Sequence, residues 1–299
     1  MQTLRYKIHD VAPYINWLYF FHAWGFPARF AAIAKIHGCD SCRASWLASF
    51  PEEDRMKATE AMQLHKEAVR MLNELDVKYY AHVRFGIFEC NANGDDIIID
   101  DLNDEHQETL SFLRQQSGDC LCLSDFIRPT NDEGIRDRIG VFAACADEAI
   151  EHLYEHEDDY RHLLCQTLAD RLAEAAIERA HETIRKFYWG YAPNENLSID
   201  DLHAERFQGI RPAVGYPSMP DQSLNFDLDR LINFAAVGIR LTENGAMQPH
   251  ASVSGLMIAH PQAHYFAVGQ IGEDQLFDYA QRKGRTPEEM RPFLQANLP

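Results

Sequence analysis

Nine residues, GIRPAVGYP (209–217), set one permanent cation and one phenol among two prolines and two glycines. Pro212 fixes its own φ and biases Arg211 toward an extended conformation, and Pro217 does the same to Tyr216. Gly209 and Gly215 admit conformations or close approaches that a Cβ would block. The stretch therefore reads as a preorganised loop with Arg211 held at one end and Tyr216 at the other. A guanidinium is a planar fork suited to a carboxylate or phosphate. A tyrosine offers a hydroxyl on a flat apolar body. The same residues would also serve a rigid structural turn closed by an internal salt bridge, and local chemistry alone does not choose between the two.

Two further clusters could do chemistry. HGCDSC (37–42) offers His37, Cys39 and Cys42, but it is one CxxC without a second pair, whereas a structural zinc normally takes four ligands. These residues are read as packed or idle thiols, and no metal site is expected. In EHLYEHEDDYRH (151–162), His152 and His156 stand four apart on an expected helix, and Glu155 completes H-x-x-E-H. So short a match arises easily in so acidic a segment, and a solvated acidic helix is expected there. The chain has no G-x-G-x-x-G after a strand, no P-loop and no G-x-S-x-G elbow, so neither a dinucleotide fold, an NTPase nor an α/β-hydrolase is indicated.

The bulk properties narrow the partners. Among 299 residues, 28 Lys and Arg face 46 Asp and Glu for a net charge of −18. Such a surface repels phosphate backbones and gives no polybasic handle for anionic lipid, so neither nucleic acid nor a membrane is expected as partner. No apolar run approaches the roughly 20 residues of a membrane helix. MQTLRYKIHD lacks the apolar core of a signal peptide, and seven scattered cysteines, an odd number, read as reduced thiols of a cytoplasmic protein.

The elements that would position these residues are mixed. ASFPEEDRMKATEAMQLHKEAVRMLNEL (48–75) predicts a helix, with Ser49 as N-cap, Pro51 in the first turn and Leu64, Ala68, Met71, Leu72 and Leu75 on one face. YYAHVRFGIFEC and DDIIID flank Asn93-Gly94, a hairpin signal. DCLCLSDFI (119–127) and RIGVFAACA (138–146) predict further strands, the second buried on both faces. Residues 147–187 predict the longest helical region, with Leu164, Leu168, Leu172, Ala175 and Ala176 in a stripe that Arg179 interrupts. Periodicity vanishes over residues 188–220, yet Tyr188, Trp189, Tyr191, Phe207 and Tyr216 argue against disorder there. VGIRLTENGAMQPHASVSGLMIAH and HYFAVGQI (264–271) alternate like strands, EDQLFDYAQRKG predicts a helix ended by Gly284, and TPEEMRPFLQANL a helix capped by Thr286. Strands and helices do not alternate as βαβ units, so the pattern favours an α+β fold with an antiparallel sheet.

Several ordered blocks then carry a resemblance: LADRLAEA (168–175), YWGYAPNENLS (188–198), QGIRPAVGYP (208–217), RLTENGAM (240–247), ASVSG (251–255), YFAVGQI (265–271) and DYAQRKG (278–284). In this order they resemble the C-terminal activation domain of cobalamin-dependent methionine synthase. The similarity covers nearly the whole chain, from about Ile15 to Leu298, as a single domain with residues 1–14 as an N-terminal extension. The resemblance implies a C-shaped α+β fold with a twisted antiparallel β-sheet flanked by helices, and binding of S-adenosylmethionine (AdoMet). It implies docking on the cobalamin-binding domain of a methionine synthase, where AdoMet and an electron from flavodoxin or a flavoprotein reductase convert inert cob(II)alamin to methylcobalamin. The folate, homocysteine and cobalamin modules are absent from this chain, so the expected partner is a synthase lacking this module, served in trans.

Residue by residue, Arg211 resembles the arginine that holds the AdoMet carboxylate, and Glu174 an acidic residue of that site, although periodicity alone places Glu174 off the apolar stripe. Tyr265 and Phe266 match a ligand-contacting pair, Ala213 and Gly215 belong to the loop that carries Arg211, and Tyr216 matches a tyrosine on the cobalt side of docked cobalamin, the nearest to a catalytic residue. Ser252 and Ser254 fall in a segment near the corrin face. The departures are specific. Asn16 stands where the family has an aspartate and brings hydrogen bonding without charge. Phe266 lacks a second hydroxyl, Gln248 and His250 replace a Trp and a Gly near the expected corrin contact, and Val214 replaces a proline in the loop. These motivate an alternative, an AdoMet-sensing or cobalamin-handling protein without methyl transfer. Asp104, Glu105 and His106 approach the D-x-H-x-x-G of cobalamin-carrying domains, but Thr109 holds the last position, so no cobalamin is expected to be carried by that route.

Overall fold

A computed structural model describes residues 1–100, 107–131 and 133–298 of the chain; Asp104, Glu105 and His106 of the imperfect cobalamin motif lie outside them. Strand β1 (Gln2–Lys7) runs into the short helix α1 (Ile8–Val11), followed by α2 (Trp17–Ala23), α3 (Asp40–Ala48) and the long α4 (Glu52–Asp76). Strands β2 (Tyr80–Asn93), β3 (Asp96–Asp100), β4 (Gln107–Ser111) and β5 (Asp137–Ala146) then precede α5 (Asp159–Thr183). Helices α6 (Ile199–His203) and α7 (Leu224–Ile232), a ribbon of β6 (Arg240–Leu241) and β7 (Met247–Gln248), strand β8 (Ser252–Met257), and helices α8 (Glu273–Arg282) and α9 (Pro287–Leu294) complete the chain.

The sheet has six strands, all paired antiparallel, in the order β4-β3-β2-β5-β8, with β1 also on β2. β2 is long enough to serve two neighbours on one edge. Its first half pairs β1 through Tyr80–Phe85, and its last residues pair β3 through Cys90–Asn93. Residues 1–14, set apart above as an extension, are therefore part of the fold: β1 is a sheet strand, and Ile8 and Val11 are fully buried.

Both faces of the sheet are covered, which explains the unbroken apolar run in β5. Phe142, Ala144 and Ala146 face the layer of α4 and α5, while Val141, Ala143 and Cys145 face Leu224, Leu228 and Ile232 of α7. α4 presents Ala58, Ala61, Leu64, Ala68, Met71, Leu72 and Leu75 to the first layer. Each of its large buried side chains contributes roughly 1.5–3 kcal/mol. α5 contributes a stripe rich in alanine, including Ala169, Ala173, Ala176 and Ala180, which lets the sheet approach its backbone. Its Asp158 N-cap accepts the Arg161 amide at 3.0 Å.

Four local expectations are corrected. Ser49 ends α3, and Pro51, not Ser49, stands at the N-cap of α4. Residues 119–127 are not a strand: a turn spans Leu123–Phe126, because Asp125 accepts the Cys122 amide at 2.8 Å and is gripped by both terminal nitrogens of Arg114. Residues 264–271 alternate like a strand but pair with none among the described residues; Val268 donates instead to Pro217 and Ile271 to Asn297. The helix expected from 147 begins only at Asp159, since Tyr154 has φ +63°, so His152 and His156 share no helical face.

The long aromatic segment after α5 is tied down by a buried ion pair. Arg185 is fully buried and donates from Nε and Nη2 to Glu195 at 2.9 and 2.6 Å, with the Phe207 ring 4.3 Å from its guanidinium. Two nitrogens on two oxygens make a fork that holds residues 188–207 against the end of α5.

Candidate functional site

The loop 209–217 lies along the free edge of β8. Ile210 and Ile258 exchange backbone hydrogen bonds at 2.9 Å each, Leu256 donates to the Pro212 carbonyl, and Val214 donates to the Ser254 carbonyl, both at 2.9 Å. Gly209 has φ +85°, and a Cβ there would stand 2.1 Å from the Ile258 oxygen. A Cβ on Gly255 would stand 2.1 Å from the Pro212 oxygen. The two glycines thus allow loop and strand to touch backbone to backbone.

Beside this loop is a cavity of about 580 Å³. α5 contributes Arg171, Glu174 and Glu178, which at spacings of three and four share one helical face. The loop contributes Arg211, Pro212, Ala213, Tyr216 and Pro217; the extended segment contributes Tyr265, Phe266 and Ala267. Tyr14, Asn16 and Tyr19 close one side, and Leu202, His203, Glu205 and Phe207 another.

Arg211 is the centre of its polar network. Its Nη2 donates to Glu178 Oε2 at 2.5 Å, and its backbone amide donates to the Tyr265 hydroxyl at 2.9 Å. Burial opposes the charge on Arg211, but Glu178, Glu174 and Glu205 outweigh it and hold its pKa above the ordinary value. Arg211 Nε and Glu178 Oε1 are buried and have no hydrogen-bond partner among the described residues. Each such group costs about 1–3 kcal/mol unless something satisfies it. Burial raises the Glu205 pKa, with Arg211 pulling against it, and Glu205 sits at φ +55°. Tyr216 donates to Glu174 Oε1 at 3.1 Å; the charge of Glu174, then burial and that hydrogen bond, push its pKa up to about 12. Burial takes Tyr265 to about 12 as well. Neither phenol is matched to proton transfer near neutrality.

Seven of the residues singled out in the sequence line this cavity: Asn16, Glu174, Arg211, Ala213, Tyr216, Tyr265 and Phe266. Asn16 spends its side-chain oxygen as the N-cap of α2, accepting from Leu18 N at 3.1 Å. Gly215, Ser252 and Ser254 are not among the lining residues. Gly215 has φ +86° and shapes the turn. The Ser252 hydroxyl donates to the Pro249 carbonyl at 2.7 Å, and the buried Ser254 hydroxyl donates to Asn225 Oδ1. Sequence reasoning missed Glu178, Glu205 and Phe142. Glu178 was within reach of it, since it follows Glu174 by one helical turn; Glu205 and Phe142 gave no local signal. His250 is exposed, with Nδ1 3.4 Å from the Asp170 carboxylate.

Three carboxylates and two guanidiniums converge with aromatic and aliphatic walls, which suits a small ligand carrying positive charge, a carboxylate and a flat ring. Sheet and cavity together define an α+β domain with an antiparallel sheet and a cavity of small-molecule size. More narrowly, the chain belongs to the family of activation domains of vitamin B12 dependent methionine synthase, whose profile matches residues 7–284. It is similar to the crystal structure of the MetH reactivation domain bound to AdoHcy (S-adenosylhomocysteine), with 37% identity over 99% of this chain and 90% of that one and a TM-score of 0.86. The helix-flanked antiparallel fold matches that domain. No helix among the described residues is long and apolar enough to cross a membrane.

Proposed function

We propose that the cavity binds AdoMet and that the bound protein supports reductive methylation of cob(II)alamin on the cobalamin-binding domain of a partner methionine synthase. The observation that carries this reading is the convergence of Arg211 with Glu174, Glu178 and Glu205 in one cavity, where Arg211 Nε and Glu178 Oε1 are buried without partners. A ligand carboxylate suits the first and a ligand ammonium the second. The similar domain solved with AdoHcy supports a ligand of this class.

Arg211 would hold the carboxylate of AdoMet, and the glutamates would favour its ammonium and sulfonium charges. Asn16 would add hydrogen bonding without charge, through its side-chain NH2 group. Tyr265 positions Arg211 through the backbone amide, and Phe142, Phe207 and Phe266 supply apolar wall for the adenosyl group. Tyr216, with its side chain half exposed at the cavity rim, would face docked cobalamin. AdoMet supplies the methyl group, a reduced flavodoxin or flavoprotein reductase supplies one electron, and neutral AdoHcy leaves. The protein's own contribution is positioning and electrostatics, since Tyr216 and Tyr265 are both held well above neutral pKa values.

The test is anaerobic mixing of this chain with a cob(II)alamin-loaded synthase fragment, reductant and methyl-labelled AdoMet. Label appearing on cobalamin is the expected result, and it establishes action in trans. AdoMet binding without label transfer would overturn methyl transfer in favour of the sensing or cobalamin-handling alternative.

A further inference from the structure

We propose that His37, Cys39 and Cys42 form a binding site for a single Zn(II) ion, separate from the ligand cavity. One ligand atom from each of the three lies within 4.8 Å of the other two. A tetrahedral zinc places two thiolate sulfurs about 3.8 Å apart at ordinary Zn–S bond lengths, so closure takes at most about 1 Å of movement between them. The sequence alone counted three ligands and expected none to be used. Folding changes the weight of that count, because all three side chains are brought to one point at the start of α3.

The local structure already supports a thiolate there. Cys39 is the N-cap of α3, and its sulfur accepts the Cys42 amide at 3.4 Å. Ser41 Oγ lies 3.4 Å from the same sulfur. Amide and hydroxyl contacts of this kind orient and tune metal-bound thiolates. Cys42 follows Cys39 by three residues, so its side chain returns to the same face of the first helical turn. Two thiolates and an imidazole suit Zn(II) better than hard oxygen-seeking cations. Among the described residues no fourth ligand joins the cluster. His37 and Cys42 open on a recess of about 450 Å³ beside Lys35, Ser45 and Trp46. The fourth position is thus open to water or an external ligand, which makes the site exchangeable instead of a closed structural centre.

The experiment uses the intact chain, reduced with a non-thiol phosphine and stripped with a chelator, and titrates it anaerobically with Co(II). A thiolate-to-cobalt charge-transfer band saturating at one equivalent, with tetrahedral visible bands bleached by one equivalent of Zn(II), is expected. Cys39→Ser/Cys42→Ser should abolish the band, and the exposed His37→Gln should weaken metal binding ~10-fold or more while leaving the fold intact by circular dichroism. His152→Gln/His156→Gln should change nothing. Absence of the band in the unmutated chain, or its survival in the double serine variant, overturns the assignment.

Discussion

Replacing Arg211 by lysine separates the guanidinium's charge from its shape. Arg211 spends Nη2 on Glu178 and leaves Nε buried without a partner among the described residues. One guanidinium can therefore hold Glu178 and a ligand carboxylate together. Lysine keeps the positive charge among the glutamates, so most of the long-range attraction survives. A compact ammonium cannot reproduce the fork, and one charge-assisted hydrogen bond is lost, worth about 1.5–3 kcal/mol. In Arg211→Lys the dissociation constant for AdoMet should rise roughly 10- to 150-fold. The assay is isothermal titration calorimetry with AdoMet and, in parallel, with decarboxylated AdoMet, which keeps the sulfonium and the adenosyl group. The decarboxylated ligand should bind wild type and variant within about threefold of each other. Equal losses for both ligands would show that the cavity itself had collapsed, and unchanged AdoMet affinity would show that Arg211 does not hold the carboxylate. Either result refutes the reasoning.

Gly255→Ala forces a Cβ against the Pro212 carbonyl at 2.1 Å; chemical denaturation should show a loss of ~2–4 kcal/mol, together with weaker AdoMet binding as the loop is pushed off β8. Glu195→Ala strands the fully buried Arg185 charge, and urea unfolding should register a loss of about 3–5 kcal/mol. Burial holds the His65 pKa down at about 4 against an ordinary 6.5, so the unfolded chain binds a proton that the fold refuses. Its contribution is intact above pH 6.5 and is lost as pH falls toward 4, a drop of about 3 kcal/mol. His65→Phe, which keeps the contacts with Trp17 and Phe21, should flatten that part of a stability–pH curve; a residual slope remains from the fully buried His181, whose pKa burial also depresses. Glu205→Gln should reduce the preference for AdoMet over AdoHcy in competition binding, because it removes negative charge that favours the sulfonium; an unchanged preference would place Glu205 outside the cation's field.

The sequence by itself determined the features whose physics is local. The apolar repeat at Leu64, Ala68, Met71, Leu72 and Leu75 is a helix because 3.6-residue geometry gathers those side chains on one face, and they are buried as that geometry requires. Asn93-Gly94 turns the chain between β2 and β3 because Gly94 takes φ +61° without penalty. The stiffness of 209–217 was legible in its prolines and glycines, and so was its pairing of a cation with a phenol. Local pattern misled where tertiary bonds overrode it. Residues 119–127 alternate like a strand, but Arg114 and Asp125 wind them into a turn. Residues 264–271 alternate as well, yet among the described residues they join no strand ladder. What only the tertiary structure decided is which polar groups meet. Glu178, Glu205 and Arg211 converge from a helix, a left-handed turn and a strand-edge loop, and Ser254 turns its hydroxyl to Asn225 and away from the cavity. His37 meets Cys39 and Cys42 at the start of α3, where Cys39 caps the helix. Local sequence sets backbone preferences and burial periodicity over a few residues, whereas a cavity drawn from residues 14 to 267 depends on how layers pack, and packing is a property of the whole chain.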